Sequence, residues 1–239
     1  MTEQNPLFSI IIPVFHSLSY LKTCIRSIEN QIFSDFEVII VNGGTDNATN
    51  QFLQTLPPPF SFISERDSGI YDAMNKGVYV SKGALLYFMG ADDIFASPTV
   101  LEQVALQFDH DSDFYFGDIL LGKNKKKSSY SHMLWLKNTL HHQALFYQRY
   151  LFDDHFYDTT YKILSDYHFN LKLFIKGKKG KKIDVIVANC GAFGVSKNYN
   201  EGLYQEERLL KRNLATPIYY PFIYVLTRLK SLLKTRSKG

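Results

Sequence analysis

Very little in this chain could cross-link it or carry it through a membrane. Only two cysteines, Cys24 and Cys190, occur in 239 residues, and neither has a CxxC partner. That excludes a disulfide scaffold and a cysteine-type zinc site, and it fits a reducing cytosol. No stretch approaches the roughly 18 to 20 apolar residues that span a bilayer. Met1 to Pro6 is polar and lacks the apolar core of a secretory leader, so a cytoplasmic protein is expected. No GxGxxG follows a candidate strand, which argues against a dehydrogenase.

What is present suits a packed globule. Apolar residues make up 45% of the chain and aromatics 15%, which argues against disorder. The length accommodates one sizeable mixed α/β core with a tail. The net charge is only +4, but it is unevenly spread. From Arg208 to Gly239 there are eight Lys or Arg and no Asp or Glu, and two further basic runs are Lys123 to Lys127 and Lys176 to Lys182. Composition alone leaves solvated surface, anionic lipid and nucleic acid open for these patches.

The first hundred residues alternate strand and helix. Phe8 to Pro13 is a short apolar run closed by proline, the pattern of a buried strand. Leu18, Leu21, Ile25 and Ile28 recur at helical spacing and predict a helix from about Ser17 to Gln31. Phe36 to Val41 and Phe60 to Ile63 read as strands. Asn42 to Asp46 reads as a turn of residues that tolerate positive φ or bond their own backbone. Ser68 is placed to cap a helix carrying Ile70, Ala73, Met74, Gly77 and Val78, and Ala84 to Met89 is the next strand. This rhythm implies right-handed crossovers and a mainly parallel sheet, with ligands at the carboxyl ends of its strands. The Asn42 turn, the Asp67 loop and Asp92-Asp93 all belong at those ends. Further on, Asp113 to Leu121 reads as a strand pair entering a lysine-rich turn. His141 to Tyr147 reads as a strand, Tyr161 to Lys176 as a helix and Lys182 to Ala188 as a strand.

Asp92 and Asp93 are the strongest local signal. Adjacent carboxylates after an apolar strand repel each other and gain no packing. Mg²⁺ or Mn²⁺ would relieve that repulsion, and Mg²⁺ typically takes one or two carboxylates plus substrate phosphate oxygens. The plainer alternative is that one of them caps a following helix. Asp166 lies beside apolar neighbours on its predicted helix, Ile163 and Phe169, so it is either desolvated or directed into a pocket; a surface Asp at a frayed helix start is the alternative. His141 and His142 are a tempting metal pair, but neighbours on a strand point to opposite faces. One of them, His142, is expected to face the ligand-binding side and the other to be structural.

Five segments together resemble the family-2 glycosyltransferases: Ser9-Ile-Ile-Ile-Pro-Val-Phe15, Asn42-Gly-Gly-Thr-Asp-Asn-Ala-Thr49, Ser64 to Gly77, Lys82 to Asp93, and Ser165-Asp-Tyr167. The resemblance implies a GT-A fold: an α/β, Rossmann-like, mainly parallel central sheet flanked by helices, with a C-terminal helical tail. A transferase domain over residues 1–198 divides into a nucleotide-sugar half, about 1–97, and an acceptor half, about 98–198; a basic and apolar tail occupies 199–239. By the same resemblance Pro13, Val14, Phe15, Asn42, Asp67 and Asp92 bind the nucleotide-sugar. Asp93 holds Mn²⁺ or Mg²⁺, Asp166 deprotonates the acceptor hydroxyl, and His142 contacts diphosphate or acceptor. Four positions depart from the family pattern. Asn42 replaces a base-reading aspartate, Gly90 and Ala91 stand where another polar residue is common, and Ser165 stands where a glutamate often precedes the base.

The implied reaction is an inverting transfer from a nucleoside diphosphate sugar, with UDP-sugar favoured, to a saccharide or lipid-linked saccharide hydroxyl. No nucleic-acid partner is expected. Two rivals are a nucleotidyltransferase and a non-catalytic nucleotide-sugar-binding protein. The first is weakened because Pro13-Val-Phe-His-Ser17 has neither the glycine nor the lysine of a phosphate loop. The tail, apolar at Ile218 to Leu226 and then basic at Arg228, Lys230, Lys234, Arg236 and Lys238, is suited to an anionic membrane surface. The expected location is therefore cytoplasmic, peripheral at the inner face of the cell membrane; a helix packed on the domain is the alternative.

Overall fold

In the computed structural model, residues 5–191 and 201–215, together with Val225, are described. The apolar and basic tail segments from Ile218 onward, Val225 apart, lie outside them. No helix among the described residues is long and apolar enough to cross a membrane.

The chain opens β1 (Phe8–Val14), α1 (Leu18–Glu29), β2 (Phe36–Asn42), α2 (Asn47–Leu53), β3 (Phe60–Ser64), α3 (Ile70–Val80) and β4 (Leu85–Phe88). β1 pairs in parallel with both β2 and β4, and β2 pairs in parallel with β3. Every residue of β1 is buried because helices cover both of its faces. Ile10, Ile12 and Val14 pack with Leu21, Cys24, Ile25 and Ile28 of α1. Ile11 faces the other way, toward Ala73, Met74 and Val78 of α3. Gly77 lets α3 settle onto β1, since a Cβ there would lie 2.4 Å from Ile11 Cγ2.

After β4 come β5 (Ile94–Phe95), α4 (Val100–Ala105), β6 (Phe114–Leu121), β7 (Asn124–Lys126), β8 (Leu145–Gln148), α5 (Ser165–Ile175), β9 (Gly180–Cys190) and α6 (Glu201–Leu214). The sheet order is β3-β2-β1-β4-β8-β6-β9-β5, with β7 paired to β6. The parallel run expected from the βα rhythm holds from β3 to β4. Beyond it β8 is antiparallel to both of its neighbours, so the second half is mixed.

Local differences from the sequence reading have physical causes. Gly69, at φ 134°, and not Ser68, is the residue preceding α3; the Ser68 N–H donates to Asp72 Oδ2 at 2.8 Å. α2 escapes the apolar pattern because it is polar and buries only Thr49 and Leu53. Asp113 to Leu121 supplies one strand, and its partner β7 follows the turn at Gly122, φ 59°. His142–Ala144 form a 3-10 turn ahead of β8 where a continuous strand was expected. α5 starts at Ser165, later than Tyr161, because Asp158 Oδ1 draws the Thr160 N–H and hydroxyl into a turn.

α6 is packed on the domain and is no free tail. Leu203 and Leu210 join the core cluster that holds α3 and α5. Lys211 and Glu207, only 2% and 3% exposed, form a buried ion pair of 2.8 Å, and Lys211 Nζ also donates to Leu136 O at 3.1 Å. Removing one partner of a buried pair costs about 3 kcal/mol or more. Lys211→Ala is therefore expected to lower Tm by roughly 10 °C, and Lys211→Met with Glu207→Leu to recover much of that loss. Differential scanning fluorimetry checks both, and an unchanged Tm for Lys211→Ala contradicts the docking of α6.

Candidate active site

The carboxyl ends of β1, β2 and β3 carry the first group of expected residues. Pro13 and Val14 are buried at the end of β1, and Phe15 emerges with 65% of its surface exposed. His16 follows at φ 49°, packs on the Phe15 ring at 4.4 Å and faces Asp46 at 3.6 Å. The Gly43 N–H donates to Val14 O at 3.0 Å, tying the turn after β2 to the end of β1. Asp67 lies directly over that turn. A Cβ on Gly43 would sit 1.7 Å from Asp67 Oδ2, so only glycine allows the approach. Asp67 Oδ1 accepts the Gly69 N–H at 3.0 Å. The loops after β2 and β3 thus meet, as their strand-end placement implied.

Asn42 is fully buried and engaged by protein. Its Nδ2 donates to Asn50 Oδ1 at 3.0 Å and Ser64 Oγ at 3.3 Å, while the Ser64 hydroxyl donates to Asn50 Oδ1 at 2.6 Å. Asn42 Oδ1 is buried without a hydrogen-bond partner. An aspartate here would lack the amide hydrogens that hold Asn50 and Ser64. The asparagine therefore has a local reason to be there. Asn50 was not singled out in the sequence; it lies on a polar helix, and only the fold brings it to Asn42.

Asp92 and Asp93 follow β4, and the next element is a strand, so neither caps a helix. The Asp93 carboxylate, 2% exposed, turns back to accept the Gly90 N–H at 2.9 Å through Oδ2. Its Oδ1 accepts the Gly191 N–H, at the end of β9, at 2.9 Å. Burial pushes the Asp93 pKa up; the His142 charge and the Gly191 and Gly90 amides oppose that, and Asp92 reinforces it. A Cβ on Gly90 would lie 2.6 Å from Asp93 Oδ2, and one on Gly191 would lie 2.1 Å from Asp92 Oδ2. The glycine at position 90 is thus a requirement of the Asp93 conformation and not a missing partner. Among the described residues no group of three or more His, Cys, Asp or Glu side chains could hold a metal ion.

Asp166 lies in the first turn of α5 and is 7% exposed, which rules out a frayed surface position. Its Oδ1 accepts the Tyr71 hydroxyl at 3.0 Å and the Tyr167 N–H at 2.8 Å. Its Oδ2 faces His142 Nδ1 at 3.4 Å. Because His142 stands in a 3-10 turn, strand alternation does not govern the two histidines, and His142 is the one turned to Asp166. Burial lowers the His142 pKa, but the hydrogen bond and charge of Asp166, joined by Asp93 and Asp92, outweigh it and the net direction is upward. His141 moves down, through burial and then the neighbouring His142 charge. His142 thus faces the Asp166 carboxylate directly and also feels the charges of Asp93 and Asp92. Tyr71 was seen in sequence only as part of a helix; its bond to Asp166 spans 95 positions, and nothing local signals it.

A family model described as "Glycosyl transferase family 2" matches residues 9–152. A "PGL/p-HBAD biosynthesis glycosyltransferase" of Mycobacterium bovis is 32% identical over 234 residues, covering 93% of this chain and 90% of that protein. Among solved structures, Staphylococcus aureus TarS 1-349 in complex with UDP-GlcNAc superposes with a TM-score of 0.71 at 19% identity, covering 90% of this chain and 70% of that one. The mannosyltransferase PcManGT of Pyrobaculum calidifontis, in complex with GDP-Man and Mn²⁺, gives 0.66 at 15% identity, covering 99% and 77%. The structural likeness establishes the GT-A fold, and the family match includes the turn after β2, the Asp67 loop and the Asp92-Asp93 pair. This chain belongs to glycosyl transferase family 2 and is a glycosyltransferase.

Proposed function

We propose that the protein transfers a sugar, with inversion, from a nucleoside diphosphate sugar to a hydroxyl of a saccharide or lipid-linked acceptor. The observation that carries this reading is the buried Asp166 carboxylate facing the part-buried His142 at 3.4 Å, with His142 also feeling the charges of Asp93 and Asp92. In a single displacement the bond from the anomeric carbon to the diphosphate oxygen breaks as the acceptor oxygen attacks from the opposite face. The transition state resembles an oxocarbenium ion. Asp166 takes the acceptor proton, with the Tyr71 hydroxyl and Tyr167 N–H on Oδ1 holding the carboxylate. His142 already faces the Asp166 carboxylate, which pushes its pKa upward, so it is assigned to the diphosphate and not to the base.

Asp93, supported by Asp92, is the assigned holder of a divalent ion. Both Asp93 oxygens accept backbone N–H groups, yet each keeps a second lone pair. Asp93 and Asp92 are oxygen ligands of the kind that Mg²⁺ or Mn²⁺ takes together with substrate phosphate oxygens. Held there, such an ion would neutralise charge developing on the diphosphate, so no protein acid would be needed. Pro13, Val14 and Phe15, with Asn42 and Asp67, are assigned to the nucleotide, Phe15 by stacking its exposed ring. The donor is assigned as a UDP-sugar, supported by the UDP-GlcNAc complex of the TarS structure. A role in glycan biosynthesis is supported by the M. bovis relative's name.

Four outcomes are expected. Asp166→Asn keeps shape and removes basicity, so turnover should drop by roughly 10²- to 10⁴-fold with UDP binding retained. Steady-state assays check it, and near-normal turnover removes Asp166 from the mechanism. Asp93→Asn should abolish Mn²⁺-dependent UDP binding and the Tm gain that Mn²⁺ confers on the wild type. Protons compete with the ion at Asp93, whose pKa is raised, so that gain should shrink as pH falls through the upper carboxylate range. Full transfer in excess chelator would falsify the metal assignment. In calorimetry UDP should bind more tightly than GDP, and the reverse order overturns the uridine reading.

A further inference from the structure

Glu206 lies on α6, outside the matched family segment and far in sequence from every residue assigned above. Its carboxylate accepts three successive backbone N–H groups: Lys162 on Oε1 at 2.7 Å, and Ile163 and Leu164 on Oε2 at 2.9 and 3.0 Å. Those residues immediately precede Ser165 and Asp166. Successive N–H groups converging on one anion fix the backbone that carries them.

The same short segment is bonded to the site on its other sides. Ile163 O accepts the Tyr71 hydroxyl at 2.8 Å, and that hydroxyl also lies 3.0 Å from Asp166 Oδ1. Lys162 Nζ donates to Ser68 O at 3.2 Å, next to Asp67. Leu164 O accepts the His168 N–H at 2.8 Å, which starts α5. One carboxylate on α6 thus holds the strip that sets where α5 begins and where Tyr71 meets Asp166. Glutamine cannot replace it, because an amide has one acceptor oxygen and presents its own N–H hydrogens to the third donor.

We propose that Glu206 is a positioning residue for the catalytic base: through residues 162–164 it holds Asp166 and Tyr71 in register with the acceptor hydroxyl. This rests on the assignment of Asp166 as base. A shift of about 1 Å at a reacting group costs on the order of 10²-fold in rate. The effect should therefore fall on kcat and spare donor binding, whose assigned residues lie on other loops.

The test uses the full chain with Glu206→Gln, Asp166→Asn and the double variant, read by kcat, acceptor KM, UDP affinity and Tm. Glu206→Gln should lower kcat about 10- to 100-fold and leave UDP affinity within about twofold of wild type. In the Asp166→Asn background it should add less than about a twofold loss, because residues acting through one group are not additive. A folded Glu206→Gln with full kcat, while Asp166→Asn is impaired, overturns the positioning role and leaves the base assignment intact. An equal fractional loss in both backgrounds also overturns it. Near-normal kcat in Asp166→Asn alone removes the base and this proposal with it. Should Glu206→Gln fail to fold, Tyr71→Phe carries the test by cutting the hydroxyl link between Ile163 O and Asp166; full kcat there counts against the proposal equally.

Discussion

Buried carboxylates are costly unless hydrogen-bonded, and the interactions that hold Asp93 and Asp166 in place govern the architecture around them. Asp93 is tied by backbone N–H groups at both oxygens, from Gly90 on its own turn and Gly191 at the end of β9. Asp166 is held by a phenol, its neighbouring N–H and an imidazole. The imidazole is the one titratable base among these partners, and the upward direction of its pKa reflects the negative charge around it. Neutral N–H and O–H dipoles do most of the restraining. Such groups stabilise an anion without cancelling its charge, so the carboxylates remain available to substrate and ion.

This arrangement joins the two halves of the sheet. The parallel half ends in the Asn42 turn, the Asp67 loop and Asp92-Asp93; the mixed half supplies His142, Asp166 and Gly191. Close approach sets the glycines where the halves and loops meet. Gly43 admits Asp67, Gly90 admits the Asp93 side chain, and Gly191 admits Asp92. Each is a place where one methyl group would overlap a carboxylate.

α6 extends the same logic beyond the sheet. Its buried Lys211–Glu207 pair and the Lys211 bond to Leu136 O seat the helix, and Glu206 reaches the backbone ahead of α5. The apolar face of α6 packs into the core cluster that also holds residues of α3 and α5. Buried charges specify where a helix docks more narrowly than leucines alone, since a misplaced helix leaves them unpaired.

β1, α1, β2, β3, α3 and β4 were legible from apolar periodicity, and Asp92-Asp93 from its place after β4. Those signals are local: burial on both faces of a strand, or one face of a helix, imprints a short repeat on the chain. The segments shared with family-2 glycosyltransferases were legible as motifs in order and spacing. Polar α2 left no such repeat, and the 3-10 turn at His142 looked like strand because its neighbours are apolar. What only the tertiary structure decided is which polar groups meet. Tyr71 reaches Asp166 across 95 positions, Gly191 reaches Asp93 across 98, and Glu206 reaches Ile163 across 43. These bonds have no period along the chain. They follow from strand order and helix docking, which collective burial sets and no single segment encodes.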